Sequence, residues 1–133
     1  MTHHDLRQSL NQFYDNHVTN EDLILQKLQS QGVSLETLSE EVLKDYDMDH
    51  FEGAGAVDIL KHKAGIQATS YVLDVCSGIG GPARYLAHRY GCRVMGLDIT
   101  ESRYHSALRL TRLVKLDHLV DFKILLDRLV GDE

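Results

Sequence analysis

The stretch Val72-Leu73-Asp74-Val75-Cys76-Ser77-Gly78-Ile79-Gly80-Gly81-Pro82-Ala83-Arg84-Tyr85-Leu86-Ala87 decides the fold. It reads as a short β-branched strand, a glycine-rich turn and a helix. The strand runs from Tyr71 to Val75 and is apolar on both faces, the pattern of a parallel strand buried between two layers. Gly78, Gly80 and Gly81 make the turn, where positive φ and close approach of a ligand to the backbone are permitted. Pro82 sits in the first helical turn, where a missing N–H costs nothing. A strand end facing a helix N-terminus across such a turn is a nucleotide-type site.

Two ligand classes fit that geometry. Gly78-x-Gly80-x-x-Ala83, with Asp98 twenty residues past Gly78, satisfies the dinucleotide fingerprint, in which the acid takes the ribose. Asp74 weighs against an NAD-type oxidoreductase, because a carboxylate at the strand end repels a pyrophosphate. A cationic ligand is attracted instead. S-adenosyl-L-methionine carries a sulfonium, an ammonium and a ribose that suits an acidic partner, so acids at the ends of two adjacent strands favour it.

Leu73-Asp74-Val75-Cys76-Ser77-Gly78-Ile79-Gly80 resembles motif I of class I S-adenosylmethionine-dependent methyltransferases, and Val94-Met95-Gly96-Leu97-Asp98-Ile99 resembles motif II. The continuation from Gly80 to Ala87 is similar to small-molecule enzymes of the sarcosine/dimethylglycine and ubiquinone-methylating type. The resemblance implies an α/β fold: a Rossmann-like parallel sheet, here truncated to about three strands and preceded by N-terminal helices. It also implies cofactor contacts from Asp74, Cys76, Ser77, Gly78, Gly80, Asp98 and Ile99, with Asp98 on the ribose hydroxyls and Ile99 beside the adenine. Cys76 replaces the first glycine of the family's motif. If its φ is positive, a side chain there costs about 1 kcal/mol or more. No catalytic base is assignable.

The 133 residues make one domain. Residues 1–65 form a helical extension or lid, and residues 66–133 a partial cofactor-binding core. A net charge of −6 without a basic run argues against a nucleic-acid partner. Without a long apolar run or a signal peptide, a soluble cytoplasmic protein is expected, with no membrane partner. Cys76 and Cys92 fall at opposite ends of neighbouring strands, about 17–20 Å apart, beyond the ~7 Å that a disulfide bridges; both are free thiols.

Residues 5–17 form an amphipathic helix with Leu6, Leu10, Phe13 and His17 on one stripe. Thr19 caps a second helix that Gly32 closes, and residues 34–46 hold one or two short helices. The connection from Tyr46 to Gly55 is a lid or a solvated loop, with His50 and Phe51 on the substrate side. Its Asp47, Asp49, His50 and Glu52 lack a metal-ligand spacing, and no metal is expected. Ala56 to Ala64 is a helix with Val57 and Leu60 inward. Arg84 and Tyr85 face the core edge or a ligand. Arg93 to Leu97 and Val120 to Leu125 are the second and third strands. Between them lies a helix capped by Thr100, with Tyr104, Ala107, Leu108, Thr111 and Val114 buried. Right-handed crossovers give a parallel sheet with helices on both faces.

In the resembling family the first strand is central, so an open outer edge here invites pairing with another chain. A homodimer or higher assembly covering that edge is expected. So is a small-molecule methyl acceptor. The alternative is a non-catalytic fragment that binds the cofactor or acts only by association. Asp127 falls near an acidic position that touches adenine in the family.

Overall fold

A computed structural model describes residues 2–50 and 52–125. Phe51, and the tail carrying Asp127, lie outside the described residues. The order is α1 (His3–Asp15), α2 (Glu21–Ser30), a 3-10 turn (Leu35–Thr37), α3 (Glu40–Leu43), α4 (Gly53–Ala64), β1 (Tyr71–Val75), α5 (Gly81–Tyr90), β2 (Arg93–Asp98), α6 (Glu101–Leu113) and β3 (Val120–Ile124). The strands are parallel in the order β1-β2-β3.

Local chemistry sets most boundaries. Thr2 and Asp5 form a reciprocal capping box at the start of α1. The cap of α2 is Asn20 rather than Thr19, its side-chain oxygen accepting the Leu23 N–H at 3.0 Å. Gly65 and Gly91 end α4 and α5 in the left-handed conformation. Expected helix stripes are wrong at three residues. Leu6, Phe13 and Leu60 are exposed, because α1 turns Leu10 and Tyr14 inward and α4 packs chiefly on α5 through Val57.

The expected two-sided cover is also corrected. Register pairs Tyr71, Leu73 and Val75 with Arg93, Met95 and Leu97, so these residues share one sheet face. Tyr71, Leu73 and Val75 are 63%, 60% and 58% exposed. The opposite face carries Val94, Gly96, Val120 and Phe122, all buried, and α5 and α6 both pack there. Two crossovers that advance in the same direction with the same hand place their helices on the same side. Gly96 is required by this packing: a Cβ there would run into the Phe122 ring and lie 2.7 Å from Ser77 Oγ.

Arg84, expected to face the core edge or a ligand, is wholly buried. It donates to Asp47 Oδ2 at 2.7 Å, to Ile79 O at 2.7 Å and to Thr111 Oγ1 at 3.2 Å. Glu40 Oε2 lies 3.5 Å from its Nε. The guanidinium thereby clamps the segment carrying Glu40 and Asp47 onto α5 and α6. A buried charge needs such partners, and removing one costs several kcal/mol.

Two carboxylates share this one cation. Burial pushes the Glu40 carboxyl up to about 8, against the attraction of Arg84 and with added repulsion from Asp47. An unfolded glutamate titrates near 4.5, so between those values the folded chain holds the extra proton. Stability is therefore full below about 4.5 and is lost as the pH rises through about 8. Glu40→Gln stays neutral and should flatten that decline. Urea midpoints from pH 5 to 8 should favour the variant increasingly, by at least ~1 kcal/mol at the upper end, since one pKa unit is about 1.36 kcal/mol. Parallel curves would contradict the assignment.

Candidate functional site

The turn after β1 is built from backbone hydrogen bonds and one carboxylate. Ser77 N–H reaches Leu97 O at 2.9 Å, and Gly80 N–H reaches Ser77 O at 2.9 Å. Asp98, at the end of β2, accepts the Gly78 N–H on Oδ2 and the Thr100 N–H on Oδ1, both at 2.8 Å. It thus ties the glycine turn to the start of α6. Each carboxylate oxygen can accept a second hydrogen bond, so Asp98 retains capacity for a hydroxyl. Gly80 is buried at φ +84°, and a Cβ there would lie 2.5 Å from Phe122 Cζ and 2.9 Å from Arg84 Nη1.

Above this turn lies a cleft of about 240 Å³. Cys76, Ser77, Gly78, Ile79, Gly81, Pro82 and Asp98 form one wall; Tyr14, Asp47, Asp49, His50 and Arg103 form the other. Five of the expected cofactor positions divide unevenly around it. Cys76, Ser77, Gly78 and Asp98 line the cleft, whereas Gly80 is buried beneath it. Asp74 is not among the lining residues. Its Oδ2 is buried without a hydrogen-bond partner. Burial pushes its carboxyl up to about 6, nearby Asp98 raises it further and His50 opposes both. The two acids therefore sense each other, although only Asp98 faces the cavity. Ile99 is 48% exposed and lines a separate depression with His4, Arg7 and Gln8.

Asp47, Asp49 and His50, read as part of one polar loop, have different tasks. Asp47 is tied to Arg84, and Asp49 Oδ2 pairs with Arg103 at 3.0 Å. Among the described residues no cluster of three or more His, Cys, Asp or Glu could hold a metal ion. Tyr14 and Arg103 were not anticipated. Arg103 sits on the buried side of α6, where helical periodicity points only to packing.

Cys76 has φ +62°. Its thiol is free and exposed, and that of Cys92 is free and buried. A non-glycine residue in the left-handed region is strained by roughly 1–2 kcal/mol. Cys76→Gly should raise stability by about 1 kcal/mol, read as a higher urea midpoint at unchanged slope. An unchanged or lower midpoint would show that the turn tolerates the side chain without strain.

No family model matches the chain. It is 44% identical over 52 residues to a sarcosine/dimethylglycine N-methyltransferase from Halorhodospira halochloris, covering 39% of this chain and 19% of that protein. It is 41% identical over 63 residues to the sterol 24-C-methyltransferase of Saccharomyces cerevisiae, covering 47% of this chain and 16% of that protein. The chain therefore spans under a fifth of the length of these curated relatives. A geranyl diphosphate methyltransferase solved with SAM superposes with a TM-score of 0.50 at 20% identity, over 55% of this chain and 30% of that one. In sequence the chain is similar to S-adenosylmethionine-dependent methyltransferases, and its sheet takes their Rossmann-like fold.

Proposed function

We propose that the cleft over Gly78 binds S-adenosyl-L-methionine and that the chain is the cofactor-binding part of a small-molecule methyltransferase. The observation that carries this is the Asp98 carboxylate, held by two backbone N–H groups at the cleft wall with acceptor capacity to spare. Asp98 would receive the ribose hydroxyls. The backbone from Cys76 to Gly78 would pack against the ligand, with the Gly78 wall free of a Cβ. Asp74, behind the wall with an unpartnered oxygen, would favour a positive charge there. The cofactor, when bound, supplies a methyl group: the S–CH3 bond breaks, the electron pair stays on sulfur, and the acceptor's lone pair forms the new bond. This chain would contribute position and orientation. Relatives named for sarcosine and for sterols support a small-molecule acceptor without choosing between an amine and a carbon nucleophile.

A second reading is a non-catalytic fragment that binds the cofactor or associates with another chain. It is supported by the cleft wall, where Asp47 and Asp49 are each engaged by an arginine. A reducing compartment such as the cytoplasm fits two free thiols, one of them exposed. A net charge of −6 supports a partner other than nucleic acid, and among the described residues no helix is long and apolar enough to cross a membrane.

Calorimetry of the full chain tests the assignment. S-adenosylmethionine and S-adenosylhomocysteine should bind and NAD should not. Asp98→Asn should weaken both adenosyl ligands at least tenfold, with its folding confirmed by thermal melting. Affinity for the cationic S-adenosylmethionine should rise as the pH passes through about 6, where Asp74 ionises, and Asp74→Asn should remove that rise. Preferential NAD binding would replace the assignment with an oxidoreductase one. Binding without transfer to amine or sterol acceptors would favour the non-catalytic reading.

We also propose that a second copy covers the outer edge of β1. Its support is the outer edge of β1, which pairs on one side only among the described residues, next to an open sheet face where Tyr71, Leu73 and Val75 are more than half exposed. Light scattering at micromolar concentration should give a dimer or larger. A monomer would refute it.

A further inference from the structure

We propose that Arg103 is a latch that holds the cleft shut over Gly78 and must swing away before an adenosyl ligand enters. This inference rests on the cofactor-binding role assigned to the cleft. A glycine at a ligand wall is useful because its missing side chain leaves the backbone approachable. At Gly78 that space is already taken. A Cβ built there lies 3.3 Å from both Nε and Nη2 of Arg103. The guanidinium thus covers the turn on the side where a ligand would lie.

Contacts from three other segments hold Arg103 in place. The side chain projects from α6, and its guanidinium lies 4.5 Å from the centre of the Tyr14 ring on α1. It donates to Thr19 O, between α1 and α2, at 3.3 Å and to Asp49 Oδ2 at 3.0 Å. Thr19 Oγ1 donates in turn to Asp49 Oδ1 at 3.0 Å. Arg103 lines the cleft with only 6% of its surface exposed.

The size of the cleft agrees. Its volume of about 240 Å³ is below the roughly 300–1,000 Å³ of sites that enclose drug-sized ligands. Moving one arginine side chain would join its space to the cleft and uncover Gly78 beside Asp98. The contacts that oppose this motion are individually modest. Asp49 is about one-third exposed, so water can replace the arginine at its carboxylate, and a single cation–π contact is a modest attraction. Such a latch can open at ligand concentrations without unfolding the cap. Arg84 anchors the same connection through Asp47, so opening is confined to the Asp49 side.

The test uses the full chain with S-adenosylhomocysteine as the probe, in calorimetry and stopped-flow. Arg103→Met removes the latch, and Asp49→Asn loosens it while keeping the guanidinium. Arg103→Met should bind about tenfold tighter. The wild-type association rate should level off with rising ligand, at the rate of latch opening, while the variant rate climbs linearly. Asp49→Asn should fall between them. Unchanged or weaker binding by Arg103→Met overturns the proposal, and a tenfold loss would make Arg103 a ligand anchor instead. Hydrogen exchange without ligand gives an independent readout: both variants should exchange faster around Tyr14 to Thr19 and at Gly78. If no variant or wild type binds the probe, the cofactor-binding role has failed, and unchanged exchange would then remove the latch as well.

Discussion

The Asp98 carboxylate is the point on which the geometry of the site depends. One side chain satisfies the N–H of Gly78 and the N–H of Thr100. A backbone donor left unpaired in a half-buried turn costs about 1–3 kcal/mol, so the acid fixes the turn after β1 to the entry of α6. The parallel pairing of β1 with β2 brings the two strand ends side by side in the first place. Under the proposed adenosyl role, structure and ligand chemistry would draw on the same carboxylate. Its two local hydrogen bonds orient it, and it lines the cleft.

A second constraint works from below. Arg84 is buried with two acids, and through Asp47 it presses the pre-strand connection onto the N-terminus of α5. A Cβ on Gly81 would strike the Asp47 carbonyl, so the glycine run after Gly78 serves this packing as well as any ligand. The cap over the cleft is therefore made by residues between Tyr14 and His50, held on one side by a fully buried ion pair and on the other by one whose carboxylate is partly exposed. That asymmetry allows one edge of the cleft to open while the other stays closed.

Much of the core was legible from residue patterns because local rules and tertiary packing agree there. The three strands, the helices after β1 and β2, the glycine caps at Gly65 and Gly91 and the separation of the two cysteines follow from periodicity and turn chemistry. Elsewhere, tertiary contacts override local pattern. Val72-Leu73-Asp74-Val75 reads as buried on both sides, but helices cover one face only, and the alternate residues stand in solvent. Arg84 reads as facing the core edge or a ligand and nothing in the pattern singles out Arg103, yet both are among the buried residues because each finds a carboxylate on a segment distant in sequence. Neither pairing has a local signature. The glycine turn was legible, but the side chain that covers it was not.

The most direct test is a proton–nitrogen NMR titration of the full chain with S-adenosylhomocysteine, with NAD as control. The amides of Gly78 and Thr100 should resonate downfield, as donors to a carboxylate do. On addition of the adenosyl compound, the large shifts should fall on Gly78, Asp98 and their neighbours in the turn, and NAD should leave them in place. Shifts confined to other surfaces, or equal responses to both ligands, would contradict the assignment of this turn and this acid as an adenosyl site.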